Sequence, residues 1–366
     1  MLLKMNNNTI IIATGGTGGH IFPAQALSDK LVKENFNPVL ICDNRANKFL
    51  YGSFQSVKKF QISSSNLSGG IISKLQGLSL LLINILKVIF IYLKIKPGCV
   101  VGFGGYPALP SIVAAIILNI PIIMYEPNAV LGRVNKWFLR YAKVLALFMP
   151  NTTKIAEKHK KKVEVVGDLV RDELLKQAEQ ERIKNKKFTL LIFGGSQGAQ
   201  VFSEVIPEAV KLLPPLLRKK LLIIQQARPN LVEQTIEAYK KIEVEAVIKP
   251  FFENIGELYL KADLVICRSG ASTISELINF KLPAILVPFP HATDNHQYYN
   301  ALYLVENATA RLITQDKFKS IVLAEQLEEL IESSIKLKKL KTAYDKMKTT
   351  NGTQKLFSIV RKHMKK

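Results

Sequence analysis

The chain is poor in the residues that build redox and metal sites. Its 366 residues include three cysteines, Cys42, Cys99 and Cys267. None lies near another, so there is no CxxC pair, and an odd, scattered set makes no disulfide framework. Each stands at one end of an apolar run, which reads as a buried, reduced thiol in a cytosolic protein. Acids are scarce as well: 29 Asp and Glu stand against 51 Lys and Arg, a net charge of +22. That excess predicts attraction to something anionic, whether nucleic acid, an acidic membrane face or a phosphorylated substrate. No DxD sequence occurs, which argues against a carboxylate-held metal on a pyrophosphate. The pattern GxGxxG is nowhere completed, because Ile21 stands where the third glycine would follow Gly16 and Gly18. GxxxxGK[ST] is missing too, which excludes a P-loop NTPase. The opening MLLKMNNNT lacks the apolar core of a signal peptide, so export is not expected.

What the chain does have is apolar sequence in short, regular runs. Hydrophobic residues make up 48% and charged ones 22%, enough to bury sizeable cores and to exclude long-range disorder. The length favours two domains, with three as the alternative. β-rich runs at 9–15, 38–42, 57–62, 99–103, 120–126 and 143–148 alternate with helical stretches. The pattern then restarts at 188–195, 220–226, 244–249, 262–270 and 282–289. Strands that are apolar at nearly every position are buried on both faces, which predicts parallel sheets covered by helices on each side. Strand–helix alternation gives right-handed βαβ units and a doubly wound sheet. Two such series predict an α/β chain of two Rossmann-like domains, joined near 165–174 and followed by a lysine-rich helical tail. The run from Leu75 to Ile95 has two readings. Asn84 and Lys87 interrupt it, so it is first expected to be a helix buried against a sheet rather than a membrane span. A patch dipping into a bilayer surface, flanked by Lys74, Lys87, Lys94 and Lys96, is the second option.

Three loops share one form: GGTGGH (15–20), GFGGYP (102–107) and GGSQGA (194–199). A glycine-rich turn from strand into helix brings backbone close to a ligand and aims free N–H groups at an anion, helped by the helix dipole. Close helix–strand packing is the plainer use of each one; three of them across two domains point to phosphate binding. In RSGASTISE (268–276), Ser272 and Thr273 can cap a helix or bind a phosphate. Glu276 can accept a ribose diol or simply sit well in a first helical turn, and the residues alone leave both open. In PFPHATDNHQYYNA (288–301), Asp294, Asn295, His296 and Gln297 suit either a sugar site or a solvated loop. No spacing of its histidines suggests zinc.

GGTGGH, GFGGYP, GGSQGA, RSGASTISE and HQYYNA, in this order, resemble the MurG family over roughly residues 9–310. These are UDP-GlcNAc-dependent transferases that add GlcNAc to lipid-linked MurNAc-pentapeptide in peptidoglycan synthesis, a process tied to cell shape and division. The resemblance implies a GT-B fold: two Rossmann-like domains with parallel sheets facing an interdomain cleft. Residues 1–167 would bind the acceptor and the membrane, 168–349 would bind UDP-GlcNAc, and a last helix near 350–366 would return to the first domain. It implies that Thr17, Gly18 and Gly19 face the donor sugar and acceptor diphosphate, that Asn128 contacts the GlcNAc, and that Arg171 and Ser196 contact the donor phosphates. The backbone at Phe252 would meet the uracil. Ala271, Ser272, Thr273, Ile274, Ser275 and Glu276 would hold phosphates and ribose, and Gln297 the sugar hydroxyls. His20 is the candidate general base, with a structural role in shaping the loop as the alternative. Gly104, Gly105, Tyr106 and Glu126 would lie on the acceptor side. The family often shows HEQN and GNPVR where this chain has Tyr125-Glu126-Pro127-Asn128 and Gly167-Asp168-Leu169-Val170-Arg171.

The implied reaction is a single displacement with inversion, with no tightly held metal and no cofactor beyond the sugar nucleotide. The implied partners are UDP-GlcNAc, a polyprenyl-diphosphate lipid and an anionic membrane surface, with other cell-wall synthesis proteins as further candidates. The implied location is peripheral, on the cytoplasmic face of the inner membrane. A UDP-GlcNAc 2-epimerase, or a GT-B transferase acting on another lipid, keeps the fold and changes the reaction. A nucleic-acid-binding protein is the distant alternative: the lysines are dispersed and aromatics make up only 8%.

Overall fold

The computed structural model describes residues 8–49, 52–63, 71–183, 185–195, 198–347 and 351–365. The chain divides into two compact units, Met1–Arg171 together with Thr350–Lys366, and Asp172–Thr349.

The first unit is built on seven strands: β1 (Thr9–Ala13), β2 (Asn37–Asp43), β3 (Lys58–Ile62), β4 (Cys99–Gly102), β5 (Ile122–Glu126), β6 (Val144–Leu147) and β7 (Val163–Val165). Their order is β3-β2-β1-β4-β5-β6-β7, and every pair is parallel. The second unit has six: β8 (Phe188–Phe193), β9 (Leu221–Gln226), β10 (Glu245–Lys249), β11 (Leu264–Cys267), β12 (Ala284–Leu286) and β13 (Ala310–Leu312). Their order is β10-β9-β8-β11-β12-β13, again parallel throughout. The central strands show why. All five residues of β1 are buried, and Ile11 pairs with Val39 on one side and Val100 on the other. A strand apolar on both faces is stable only under helices on both sides. The edges read differently: β3 is KKFQI and β7 is VEV, both largely open, and charge on a short edge discourages pairing with another chain. The strands β7 and β13, three residues each, go unannounced in the sequence because no apolar run surrounds them, as LPAILVPF surrounds the equally short β12.

In each sheet the strand order reverses once, between β1 and β4 and between β8 and β11. At such a switch point the two connections leave in opposite directions, and a crevice opens at the carboxyl ends of the strands. The loops that follow these four strands are 14–17, 103–105, 194–199 and 268–270, which contain the glycine-rich turns and the RSG segment. The doubly wound topology thus puts every candidate phosphate turn at a switch point.

The Leu75–Ile95 run belongs to a helix, Ile71–Ile95, that crosses from β3 to β4. It is not the buried helix first expected. Only one stripe is covered: Asn84, Val88, Ile91 and Tyr92 are buried, and Asn84 Nδ2 donates to Ser63 O at 2.9 Å. The opposite stripe stands in the open, with Leu82 55%, Leu86 66%, Phe90 71% and Leu93 56% exposed. The helix is apolar all round and long enough to cross a membrane, yet its inner stripe is committed to the sheet.

The three cysteines are buried and unpaired, and burial pushes the Cys42 thiol up to about 11 and Cys99 to about 12. The last helix, Gly352–His363, lies on the first unit. Its start is capped by Asn351 Oδ1, which accepts from Gln354 N at 2.9 Å, and Lys365 N donates to Gly98 O at 2.9 Å. Phe357 meets Phe36 edge-on at 5.5 Å, and Leu356 is wholly buried. A cavity left at Leu356 would cost the first unit about 2–5 kcal/mol. Leu356→Ala is therefore expected to lower the denaturation midpoint measured by circular dichroism, whereas the same change at the exposed Lys355 is expected to leave it in place.

Candidate active site

In the first unit, β1 ends in a glycine-rich turn that leads directly into the Gly18–Lys33 helix. Thr17 stands at its N-cap in an extended conformation but caps nothing. Its hydroxyl instead lies 3.0 Å from His20 Nδ1. The first amides of the helix are thus left to an outside acceptor, the arrangement that favours an anion. The second glycine turn lies beside the first, and Phe103 N donates to Ala13 O at 2.9 Å. Gly104 and Gly105 adopt φ of +81° and +75°, values an L side chain rarely accepts. A Cβ on Gly104 would stand 3.4 Å from His20 Nε2, so this backbone runs against the imidazole. Tyr106 follows, 41% exposed, with its ring edge-on to Trp137 at 6.4 Å.

Glu126 closes β5 beside this pair of loops. Its carboxylate is buried and accepts four hydrogen bonds: Asn128 N at 3.1 Å and Asn128 Nδ2 at 3.0 Å on Oε1, Gly132 N at 2.8 Å and Asn135 Nδ2 at 2.9 Å on Oε2. Burial pushes its pKa upward and the four donors pull it back. The carboxylate therefore shapes the 126–132 turn and fixes Asn128. Asn135, which the sequence reading did not single out, ties the turn together from the Arg133–Phe138 helix, also donating to Tyr125 O at 3.2 Å. Arg171 ends the first unit with its guanidinium 4.4 Å from the centre of the Phe22 ring, in the first turns of the His20 helix. Its Nε is buried without a hydrogen-bond partner among the described residues.

In the second unit, Gly194 leaves β8 so tightly that a Cβ there would stand 2.2 Å from Ala199 N. Ser196 lies outside the described residues. The Gln200–Leu212 helix that follows begins with no capping side chain, as does the Ala271–Phe280 helix after β11. Within the latter, Ala271, Ile274 and Ser275 are buried, so they can offer a ligand only backbone, while Ser272, Thr273 and Glu276 are half-buried. Glu276 Oε2 accepts from Tyr259 OH at 2.7 Å. Gln297, one residue into the His296–Glu306 helix, accepts Phe289 N on Oε1 at 2.9 Å, which turns its NH2 group away from that contact. Its backbone carbonyl takes Ser269 Oγ at 2.7 Å, and Asn300 Nδ2 reaches Ser269 O at 3.1 Å. The RSG turn and the 288–301 segment are thereby one structure.

Arg268, in that turn, points inward. It donates to Val287 O and Pro288 O, each at 3.0 Å, and to Gln315 Oε1 at 2.6 Å, between the rings of Phe202 and Phe289. It clamps the ends of β11 and β12 together. His296 is structural too: its Nδ1 lies 2.8 Å from Thr293 O, and burial lowers its pKa. Phe252, half-buried in the turn after β10, has no bond to this group. Among the described residues, no three His, Cys, Asp or Glu side chains are grouped to hold a metal ion.

Residues 10–147 match the glycosyltransferase family 28 N-terminal domain, and residues 189–356 match its C-terminal domain. A Rickettsia canadensis (strain McKiel) protein is 41% identical over 329 residues, covering 89% of this chain and 91% of the relative. Its name is UDP-N-acetylglucosamine--N-acetylmuramyl-(pentapeptide) pyrophosphoryl-undecaprenol N-acetylglucosamine transferase. The crystal structure of Acinetobacter baumannii MurG superposes with a TM-score of 0.78 at 30% identity, over 97% of this chain and 99% of that one. The chain belongs to the MurG family. A UDP-N-acetylglucosamine 2-epimerase structure also superposes, with a TM-score of 0.65 over 97% of this chain and 96% of its own, but at 12% identity that likeness is one of fold alone. The two parallel-sheet units are thus those of a GT-B glycosyltransferase, and four of the five family motifs fall at the switch-point loops described above, HQYYNA lying in the His296–Glu306 helix.

The Glu126 turn makes a direct test of this geometry. An amide at this position would aim an NH2 group at a neighbouring N–H donor, a loss of about 1–3 kcal/mol. Glu126→Gln is expected to lower the unfolding midpoint by a matching amount and to speed amide exchange across 127–132, read by hydrogen–deuterium exchange.

Proposed function

We propose that this MurG family member transfers N-acetylglucosamine from UDP-N-acetylglucosamine to the 4-hydroxyl of an undecaprenyl-diphosphate-linked N-acetylmuramoyl-pentapeptide, with inversion at the anomeric carbon. One observation carries the reading beyond homology: the imidazole of His20 is held between an uncapped helix start and the Gly104–Gly105 backbone. A diphosphate needs amides, and a sugar hydroxyl needs a base; here both lie within one turn of helix.

The acceptor diphosphate takes the amides of Gly18 and Gly19, beside Thr17, whose own N–H is donated to Gly15 O at 3.0 Å. In the tautomer that donates Nδ1–H to Thr17 Oγ1, His20 presents Nε2 as the acceptor and takes the proton of the 4-hydroxyl as its oxygen bonds to the anomeric carbon. The bond from that carbon to the diphosphate oxygen breaks in the same step, through an oxocarbenium-like transition state, and UDP leaves with the electron pair. The amides at 271–273, Ser196 and Arg171 take the charge of the departing diphosphate. The Phe252 backbone reads uracil, Glu276 the ribose hydroxyls, and Gln297 and Asn128 the sugar. Tyr106 borders the acceptor, while Glu126 acts by holding Asn128 in place.

The acceptor is a membrane lipid, so the enzyme works as a peripheral protein at the cytoplasmic membrane face. The open stripe of the Ile71–Ile95 helix, edged by the exposed Lys94 and Lys96, has the form of an interfacial helix, and the net charge of +22 favours anionic lipid.

Incubation of purified protein with labelled UDP-GlcNAc, a lipid I analogue and EDTA is expected to yield the disaccharide lipid. Formation of UDP-ManNAc without acceptor would support the epimerase reading instead. His20→Ala is expected to lower kcat by about 10²–10⁴-fold, with little change in the KM for donor; near-normal turnover with weakened acceptor binding would assign His20 a shaping role. For the membrane surface, Leu86→Ser with Phe90→Ser is expected to weaken binding to anionic vesicles by about a hundredfold or more. Added salt should weaken the wild type as well. Vesicle sedimentation measures both, and binding indifferent to salt would contradict the electrostatic part.

A further inference from the structure

We infer that Tyr259 is a positioning residue for the donor site, acting through Glu276; this rests on the reading above in which Glu276 holds the ribose hydroxyls. Tyr259 lies in the short Ile255–Lys261 helix and is 1% exposed. Its ring sits between Phe193, edge-on at 6.0 Å, and Phe280, tilted at 5.0 Å. Phe193 is the last residue of β8, just before the Gly194 turn, and Phe280 is the last residue of the Ala271–Phe280 helix. The ring is thus wedged at the root of one switch-point loop and against the helix that starts at the other. From there its hydroxyl reaches Glu276 Oε2 at 2.7 Å.

A buried tyrosine hydroxyl requires a partner, and a carboxylate is a stronger one than a carbonyl. The benefit runs the other way too. A glutamate has three side-chain torsions, and a free one must be ordered by the ligand it binds, at a cost to affinity. The tyrosine does that ordering before the donor arrives. The helix that carries Tyr259 also begins three residues after Phe252, the residue assigned to the uracil, so one rigid element supports the contacts to base and ribose.

Tyr259→Phe removes the hydroxyl and keeps the ring, so the core stays filled. The KM for UDP-GlcNAc is expected to rise about tenfold, with kcat within about twofold and the acceptor KM unchanged. With a 2′-deoxyribose donor the penalty is expected to shrink, because the hydroxyl that Glu276 would receive is gone. In a Glu276→Gln background, Tyr259→Phe is expected to add less than about twofold, as for two residues acting through one contact. A wild-type donor KM in Tyr259→Phe, or the same tenfold cost in the Glu276→Gln background, would overturn the role of Tyr259 while leaving the ribose assignment intact. An unchanged donor KM in Glu276→Gln would overturn the ribose assignment, and this inference with it.

Discussion

Backbone amides at the starts of helices are the chemical resource around which this molecule is arranged. They are fixed in direction, cannot be titrated, and are joined to a dipole whose positive end lies at the same place. A helix start can be offered to a ligand only if no side chain of the protein takes it first. Thr17, Ala199 and Gly270 stand at N-cap positions without a side-chain cap, as do Leu231 and Lys319 away from the glycine turns, so what sets the first three apart is their place at the ends of the switch-point strands; Asn254, Ser333 and Asn351 cap their helices. The parallel sheet supplies the rest of the constraint. Burial of β1 and β8 on both faces requires helices on both sides, and the reversal of strand order that follows leaves these helix starts facing the same crevice in each unit.

Charged side chains near those turns mostly serve the backbone. Glu126 is spent on three N–H donors within its own turn and a fourth from the helix that follows, and Arg268 on two carbonyls and an amide oxygen. Glu126, expected on the acceptor side, has its carboxylate taken up by the loop it stands in, and Arg268 likewise holds loop backbone. A buried charge with complete hydrogen bonding specifies one conformation, because any other leaves it unpaired. The loops can then be short and glycine-rich without losing their shape.

The fold was legible where the strands were long. Runs such as TIIIA and FTLLIF carry enough apolar residues to declare a doubly covered strand, and the glycine turns that follow declare themselves by composition. The strands β7 and β13 do not, since VEV and ARL carry charge and lack the flanking apolar residues that announce the equally short β12. The Ile71–Ile95 helix exposed a different limit. Its sequence is apolar all round, and nothing in a single chain says whether a second layer covers the outer stripe. The candidate site divided along similar lines. His20 and the glycines beside it could be found from local pattern, whereas Asn135 and Tyr259 act across nine and seventeen residues through side chains with no local signature. Such partners emerge only when the tertiary structure sets two elements side by side.

The open stripe of the Ile71–Ile95 helix raises a problem of colloid chemistry. A row of leucine and phenylalanine side chains facing water invites a second copy of the same row, and two such helices would pair face to face. An excess of 22 positive charges works against that encounter, because like-charged molecules repel before their apolar rows can touch. On the proposed reading, the same excess favours approach to a surface of opposite sign. One imbalance of lysine over acid would thus oppose pairing of the apolar rows and, on that reading, leave them to lipid.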